Sequence, residues 1–438
     1  MFSPLYTADE MRAAEQGHDV ETMMERAGRA VADAVLRRYP DARRIAAVCG
    51  KGANGGDGRI ALRLLMEAGR ETSEEPGDAD VVVDALFGTG FRGAPRDDAA
   101  QAIARINDAR AAVVAVDLPS GVDASTGEIA GAVVDAEVTV TMHAPKVGLA
   151  VGPGRFHAGE VEVADIGISG GETRHRLVTA EILGLVPRKR EGDTKYSAGS
   201  VLVVGGSPGM SGALCLAAEA AFRADAGYVA VATHEESLPV VEQRLLEAVK
   251  APLGDVDRLA ERAAAVAIGP GLGRGEDERA LVRRLLRELD VPVVADADAL
   301  YELEPADWPA PRVLTPHGGE LGRLLGQPSD WVDAHRLEAV QAAADQYGCV
   351  VLLKGADTLV AAPGEGLLVS TAGSPALATA GTGDVLTGVI AAFLAKGIDA
   401  RLAAAAGAFA HGRAAQLVPH PRGVIASDIV AALPGALA

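Results

Sequence analysis

Cysteine is scarce in this chain, and the three present, Cys49, Cys215 and Cys349, are too few and too widely spaced for a disulfide framework or a zinc site. Each lies in or beside an apolar segment, which predicts core packing. Aromatic residues are also few, at 3 %. With Ala and Gly abundant, that balance suits Val- and Ala-rich parallel sheets covered by helices better than an all-β design. Basic charge is in deficit: 41 Lys and Arg against 60 Asp and Glu leave a formal charge of -19, which opposes nucleic acid and anionic membrane as partners. A locally favourable pocket can still hold an anionic ligand. Long apolar runs are missing too, and the opening residues MFSPLYTADEMRAAEQ show no basic segment followed by an apolar one. A soluble cytoplasmic protein is expected. Its 438 residues exceed what one hydrophobic core usually supports, so two domains are expected as well.

What is present is organised around TAGTGDVLTGVIAAFLAKG, residues 379–397. Apolar residues recur at helical spacing after Asp384, and Gly397 stands where the helix would stop. Gly381 and Gly383 let backbone approach a ligand, and the free amides of the first helical turn would face an anion there. Asp384 would repel a phosphate that was merely bound. It reads either as a general base for a hydroxyl that attacks phosphorus or as a capping aspartate.

The amino-terminal half repeats a strand followed by a polar, glycine-rich loop. Strand 44–49 leads into GKGANGGDG, strand 81–86 into FGTGFRGA, strand 111–116 into DLPSGVD, and strand 138–142 into HAPKVGL. The first loop is not a phosphate loop of the Lys-Ser or Lys-Thr kind. Open α/β sheets bind ligands at the carboxyl ends of their strands, so Asp84, Asp117 and Ser120 should share one mouth, with Lys146 as a neutraliser of phosphate. These motifs, in this order, resemble the NAD(P)H-hydrate epimerase domain, which implies a Rossmann-like three-layer α/β/α fold. The resemblance implies hydrate contacts from Asn54, Gly55, Gly56 and Asp57, from the loop Gly88, Thr89, Gly90, Phe91, Arg92, Gly93 and Ala94, and from Asp117. It also implies K+ held by Asn54, Asp84 and Ser120. Asp117 is the candidate acid-base residue. Ala53 replaces the family's usual second asparagine, and the connection from the first helix to VVVDALFG is short.

Residues 186–194 read as a linker between a domain of residues 1–185 and one of residues 195–438. In the second, SVLVVG, AAAVAIGPGLG, VPVVADADAL, RVLTPHGGELGRLL and VVLLKGADTLV alternate with helical segments, which predicts a mostly parallel sheet with helices on both faces. His411, in an Ala-rich helix, reads as packing. Taken with AGTGDVLTG, these motifs resemble the ADP-dependent NAD(P)H-hydrate dehydratase, a ribokinase-like α/β family. The resemblance implies a hydrate pocket from Ala226, Gly273, His317, the turn carrying Gly318, Gly319 and Glu320, and Asp384. Lys354, Gly355, Ala356, Asp357, Thr358, Gly381, Thr382 and Gly383 would hold ADP with Mg2+.

The expected activity is repair of hydrated nicotinamide cofactors, NAD(P)HX, by epimerisation and ADP-dependent dehydration. A homo-oligomer is expected from the resemblance alone. The alternative reading is an ATP-dependent kinase of a sugar or vitamin alcohol carrying a non-catalytic binding module.

Overall fold

Valine-rich strands buried on both faces need helices on both sides, and the chain supplies such a sheet twice. A computed structural model describes residues 1–420 and 422–438. The chain divides into two units: Pro4–Arg176 with Asp333–Arg336, and Met1–Ser3 with Leu177–Val332 and Leu337–Ala438. The stretch expected as a linker, 186–194, thus lies inside the second unit. The reason is strand pairing: the second unit resumes at Leu177, within a strand that lies beside Leu368–Ser370.

The first unit has a six-stranded sheet in the order Glu71–Ser73, Arg44–Cys49, Val81–Ala85, Ala112–Val116, Val138–Met142, Glu160–Ala164, parallel throughout. Alternate residues face opposite layers. Val81 and Val83 pack with Val31 and Val35 of helix Val20–Arg38 and with Leu65 of helix Ala53–Glu67. Val82 packs the other way, with Ile103 and Ile106 of helix Asp97–Asp108. This is the three-layer α/β/α arrangement.

The second unit is built on an eleven-stranded sheet. From one edge it runs Val249–Pro252, Tyr228–Thr233, Ser200–Val204, Ala265–Ile268, Val293–Ala295, Arg312–Leu314 and Val350–Leu353, all parallel. Thr358–Ala361 and Leu368–Ser370 then continue antiparallel. Val201 and Val203 share a core with the helices Ser211–Arg223, Thr382–Ala395, Ala400–Leu417 and Ala426–Ala436. Helix Glu276–Glu288 buries Val282, Leu285 and Leu286, the apolar stripe of an otherwise charged segment. Among the described residues no helix is long and apolar enough to cross a membrane.

Candidate active sites

In the second unit, four adjacent parallel strands end in polar loops on one edge: Gly269–Gly273, Asp296–Asp298, Thr315–His317 and Lys354. Helix Thr382–Ala395 begins at the same mouth. Its N-cap Gly381 has φ +89, a left-handed conformation, and a Cβ there would meet Leu216 Cδ1 at 2.7 Å. Only glycine fits that turn without strain. The first-turn amides have no acceptor within the helix; Thr382 N donates to Thr379 O at 3.4 Å, which leaves those of Gly383 and Asp384 available to an anion.

Asp296 is the pivot of this mouth. It is 1 % exposed, and Lys354 Nζ donates to its Oδ1 at 2.5 Å while Thr387 Oγ1 donates to its Oδ2 at 2.6 Å. A Cβ on Gly383 would lie 3.1 Å from Lys354 Nζ, so the glycine keeps the helix start open beside the ammonium. Burial, and then the charge of Asp296, push the Asp384 carboxyl up to about 7, with Lys354 opposing and Asp298 and Glu320 adding. Such a group can take a proton near neutral pH, as a general base requires. Asp298 is held by the Gly273 amide at 3.0 Å and Arg274 Nε at 2.7 Å.

His317 caps helix Gly318–Leu325: its Nδ1 accepts from the Gly319 amide at 3.0 Å, and Glu320 Oε2 accepts from the His317 amide at 2.9 Å. Gly318, Gly319 and Glu320, expected as a turn, are the first turn of this helix, because the His-x-x-Glu reciprocal cap starts it at once. Lys354 to Asp357 form the loop of an antiparallel hairpin that restarts at Thr358, whose Oγ1 donates to Gly355 O at 3.2 Å. Ala226 is not brought to this mouth. It is 2 % exposed in the turn between helix Ser211–Arg223 and strand Tyr228–Thr233, at the amino end of the strands. The small residue beside the Gly269–Gly273 loop is Ala213, whose Cβ a side chain on Gly271 would meet at 3.2 Å. His411 is buried, and burial lowers it to about 4, so it is neutral.

In the first unit the residues Asn54 to Asp57 are helical, since helix Ala53–Glu67 starts directly after Gly52. Glycines inside it serve close packing: a Cβ on Gly55 would lie 2.0 Å from Gly50 O. Asn54 Nδ2 donates to Phe87 O at 2.8 Å, Phe87 N donates to Ser120 Oγ at 2.9 Å, and Ser120 Oγ donates to Asp84 Oδ1 at 2.7 Å. Asn54, Asp84 and Ser120 thus meet around Phe87. Asp84 is 0 % exposed and has no basic partner among the described residues; burial pushes its carboxyl up to about 6 against hydrogen bonds from Ser120 and Leu86. The Gly88 to Ala94 loop forms a partly exposed lip in which Phe91 stacks on Phe87 at 4.5 Å, with Thr89 and Gly90 between them and Arg92, Gly93 and Ala94 in solvent.

Asp117 sits at φ +67, an uncommon conformation for a non-glycine residue and one often found at functional sites. Its Oδ1 accepts from Thr141 Oγ1 at 3.2 Å, from Met142 N at 3.1 Å and, closest, from Lys146 Nζ. Lys146 is 0 % exposed, and its remaining bonds go to Thr141 Oγ1 at 3.0 Å and Met142 O at 2.8 Å. Instead of neutralising a phosphate, it fixes Asp117. Sequence reading could not separate these roles, because a lysine four residues past a strand can point either way. The whole network lands on Oδ1, so Oδ2 accepts no bond among the described residues.

A glycine-capped helix start carrying an aspartate beside a lysine, at the carboxyl ends of a mostly parallel sheet, is the kind of mouth in which α/β enzymes hold anionic ligands, and it is joined here to a Rossmann-like unit with a buried carboxylate–lysine pair. The family model described as NAD(P)H-hydrate dehydratase matches residues 201–434, and the one described as YjeF-related protein N-terminus matches residues 20–73 and 69–148. The chain belongs to the family of bifunctional NAD(P)H-hydrate repair enzymes. The member from Moorella thermoacetica is 38 % identical, over 94 % of this chain and 91 % of its own; the one from Escherichia coli K12 is 35 % identical, over 98 % and 93 %. Among solved structures, the ADP/ATP-dependent NAD(P)H-hydrate dehydratase of Bacillus subtilis, co-crystallised with ATP and Mg2+, is similar at 32 % identity and TM-score 0.55, over 59 % of this chain and 96 % of that one.

Proposed function

We propose that the second unit dehydrates the S epimer of NAD(P)HX at the expense of ADP. Asp384 takes the proton of the substrate hydroxyl, and the freed oxygen attacks the terminal phosphorus of ADP, releasing AMP. The ring nitrogen's electron pair then expels the new phosphate ester as inorganic phosphate, and loss of a ring proton restores NAD(P)H. Phosphorylation turns a poor leaving group into a good one. First-turn amides beside Gly381, Thr382 and Gly383, with Lys354, meet the charge on the transferred group. Gly355, Ala356, Asp357 and Thr358 complete the nucleotide site, while Gly273, His317 and Glu320 face the hydrate. Asp296, Asp298 and Glu320 act on Asp384 together with a single lysine, so a bare diphosphate would be repelled. That oxygen-rich acidic mouth fits a Mg2+-bearing one, and Mg2+ when bound offsets the phosphate charge. The observation that carries the reading is the placement of Asp384 on the first turn of a glycine-capped helix, where Gly383 leaves room for the Lys354 ammonium held by Asp296.

The first unit supplies the S epimer from the R epimer. Asp117, held through Oδ1, offers Oδ2 to the substrate hydroxyl. Asn54, Asp84 and Ser120, joined around Phe87, with Asp84 buried and without a basic partner among the described residues, offer an all-oxygen side-chain set that suits K+, which would neutralise that carboxylate and tie the loops together. Free thiols at Cys49, Cys215 and Cys349 agree with a cytoplasmic setting.

The test of the dehydratase reading is product analysis with S hydrate, ADP and Mg2+. AMP and inorganic phosphate should appear in equal amounts with NAD(P)H. A stable phosphorylated product would instead favour the kinase reading, which the family membership does not.

A further inference from the structure

Epimerisation by ring opening moves two protons, so one acid-base residue accounts for only half of it. The hydroxyl proton must leave as the carbon–nitrogen bond breaks, and the ring nitrogen, which keeps that bond's electron pair, must gain a proton as the carbonyl forms. Asp117, ion-paired through Oδ1, suits the first transfer. It cannot supply the second proton at the same moment.

We propose that Asp57 is the general acid of the first unit, protonating the ring nitrogen while Asp117 Oδ2 takes the hydroxyl proton. This rests on the epimerase reading of that unit. The opened intermediate is an aldehyde bearing an enamine N–H. Rotation about the bond next to the aldehyde carbon presents its other face. On closure the nitrogen attacks the carbonyl, Asp57 recovers its proton, and Asp117 returns the other to oxygen. Both residues end as they began, and nothing is oxidised or reduced.

Asp57 lies just inside helix Ala53–Glu67, whose start follows the carboxyl end of strand Arg44–Cys49. It is 8 % exposed, and its Oδ1 is buried with no hydrogen-bond partner among the described residues. The charged groups acting on it are Asp117 and Glu15, both acidic. After burial, the largest cause, these two push its carboxyl up to about 8, so at neutral pH it carries a proton to give. Lys146, which acts on Glu15 as well, is bonded to Asp117. Two interacting carboxyls at the carboxyl edge of one sheet, one paired with a cation and the other kept neutral, are a division of labour between base and acid. Glu15 is the nearest competitor; burial and then Asp117 raise it too, but Lys146 and Arg12 pull it back and its side chain is partly exposed.

The experiment uses the full chain, the R hydrate of NADPH and no nucleotide, with the R to S ratio followed by chromatography. Asp57→Asn should slow interconversion at least about 100-fold with KM within a few-fold, whereas a structural role would raise KM. The wild-type rate should fall above pH about 8, as Asp57 loses its proton, and that fall should vanish in the variant. Asparagine resembles the protonated acid, so the melting temperature should hold. If the variant nevertheless unfolds, the wild-type profile decides: a falling limb near pH 8 supports the role and its absence overturns it. Interconversion by Asp57→Asn at the wild-type rate, or a loss seen with Glu15→Gln instead, overturns the assignment while leaving the epimerase reading intact. No interconversion by the wild type overturns the reading itself.

Discussion

Asp384→Asn should lower the dehydration rate about 10²- to 10⁴-fold, the usual contribution of a general base, while ADP binding measured by calorimetry stays within a few-fold. Asparagine fills the same space at the helix start but cannot take the hydroxyl proton. In the wild type kcat/KM should climb as pH rises through about 7, because only the ionised carboxylate is a base, and the variant should lose that limb. Stability runs the other way. A carboxyl whose folded pKa is raised is held in its protonated form, so its contribution to stability is lost as pH climbs from the ordinary carboxylate range through about 7. Asp384→Asn should therefore be no less stable than the wild type at pH 8, and a large drop in melting temperature would contradict this account of the site. Full turnover by the variant would remove Asp384 from the mechanism.

The second large effect is expected at Asp117. Asp117→Asn should slow R to S interconversion about 10²- to 10⁴-fold, and it should also destabilise the chain. Lys146 is 0 % exposed, and among the described residues Asp117 is its one carboxylate partner; removing one member of a buried pair typically costs about 3–5 kcal/mol, since the other charge is left uncompensated. The double variant Asp117→Asn with Lys146→Met should recover most of that stability without recovering activity. Urea denaturation of the single and double variants, with the epimerisation assay alongside, separates the two effects. Equal stability of Asp117→Asn and wild type would mean that the pair does not carry the structural load given to it here.

Both α/β sheets were legible from the sequence because their strands are short Val- and Ala-rich runs, each followed by a glycine-rich, acid-bearing loop. A parallel strand buried on both faces leaves little room for another pattern. Element starts were harder to read. GANGGD and HGGE look like turns by composition, yet both are first helical turns: the first because its glycines allow a close approach to Gly50, the second because His317 and Glu320 cap each other. Asp384 and Lys354 could be found from their glycine neighbours. Thr387, which bonds Asp296, had a weaker signal, a lone polar residue one turn after Asp384 in an apolar helix. Ala226 shows the limit of carrying a position across by motif, since nothing in the run ALCLAAEAAFRADAG tells which alanine sits at which end of the helix. Lys146 shows that burial decides between a surface cation and an internal one, and burial is set by tertiary packing.

The central claim is that one chain converts both epimers of a hydrated nicotinamide cofactor back to the working form. An equal mixture of R and S NADPH hydrate, supplied with ADP, Mg2+ and K+, tests it through regrowth of dihydronicotinamide absorbance. Complete recovery of NADPH, with the second half arriving through the first unit, is the predicted result. Recovery that stops at the S fraction would contradict the epimerase half, and no recovery with ADP or ATP would contradict the account as a whole.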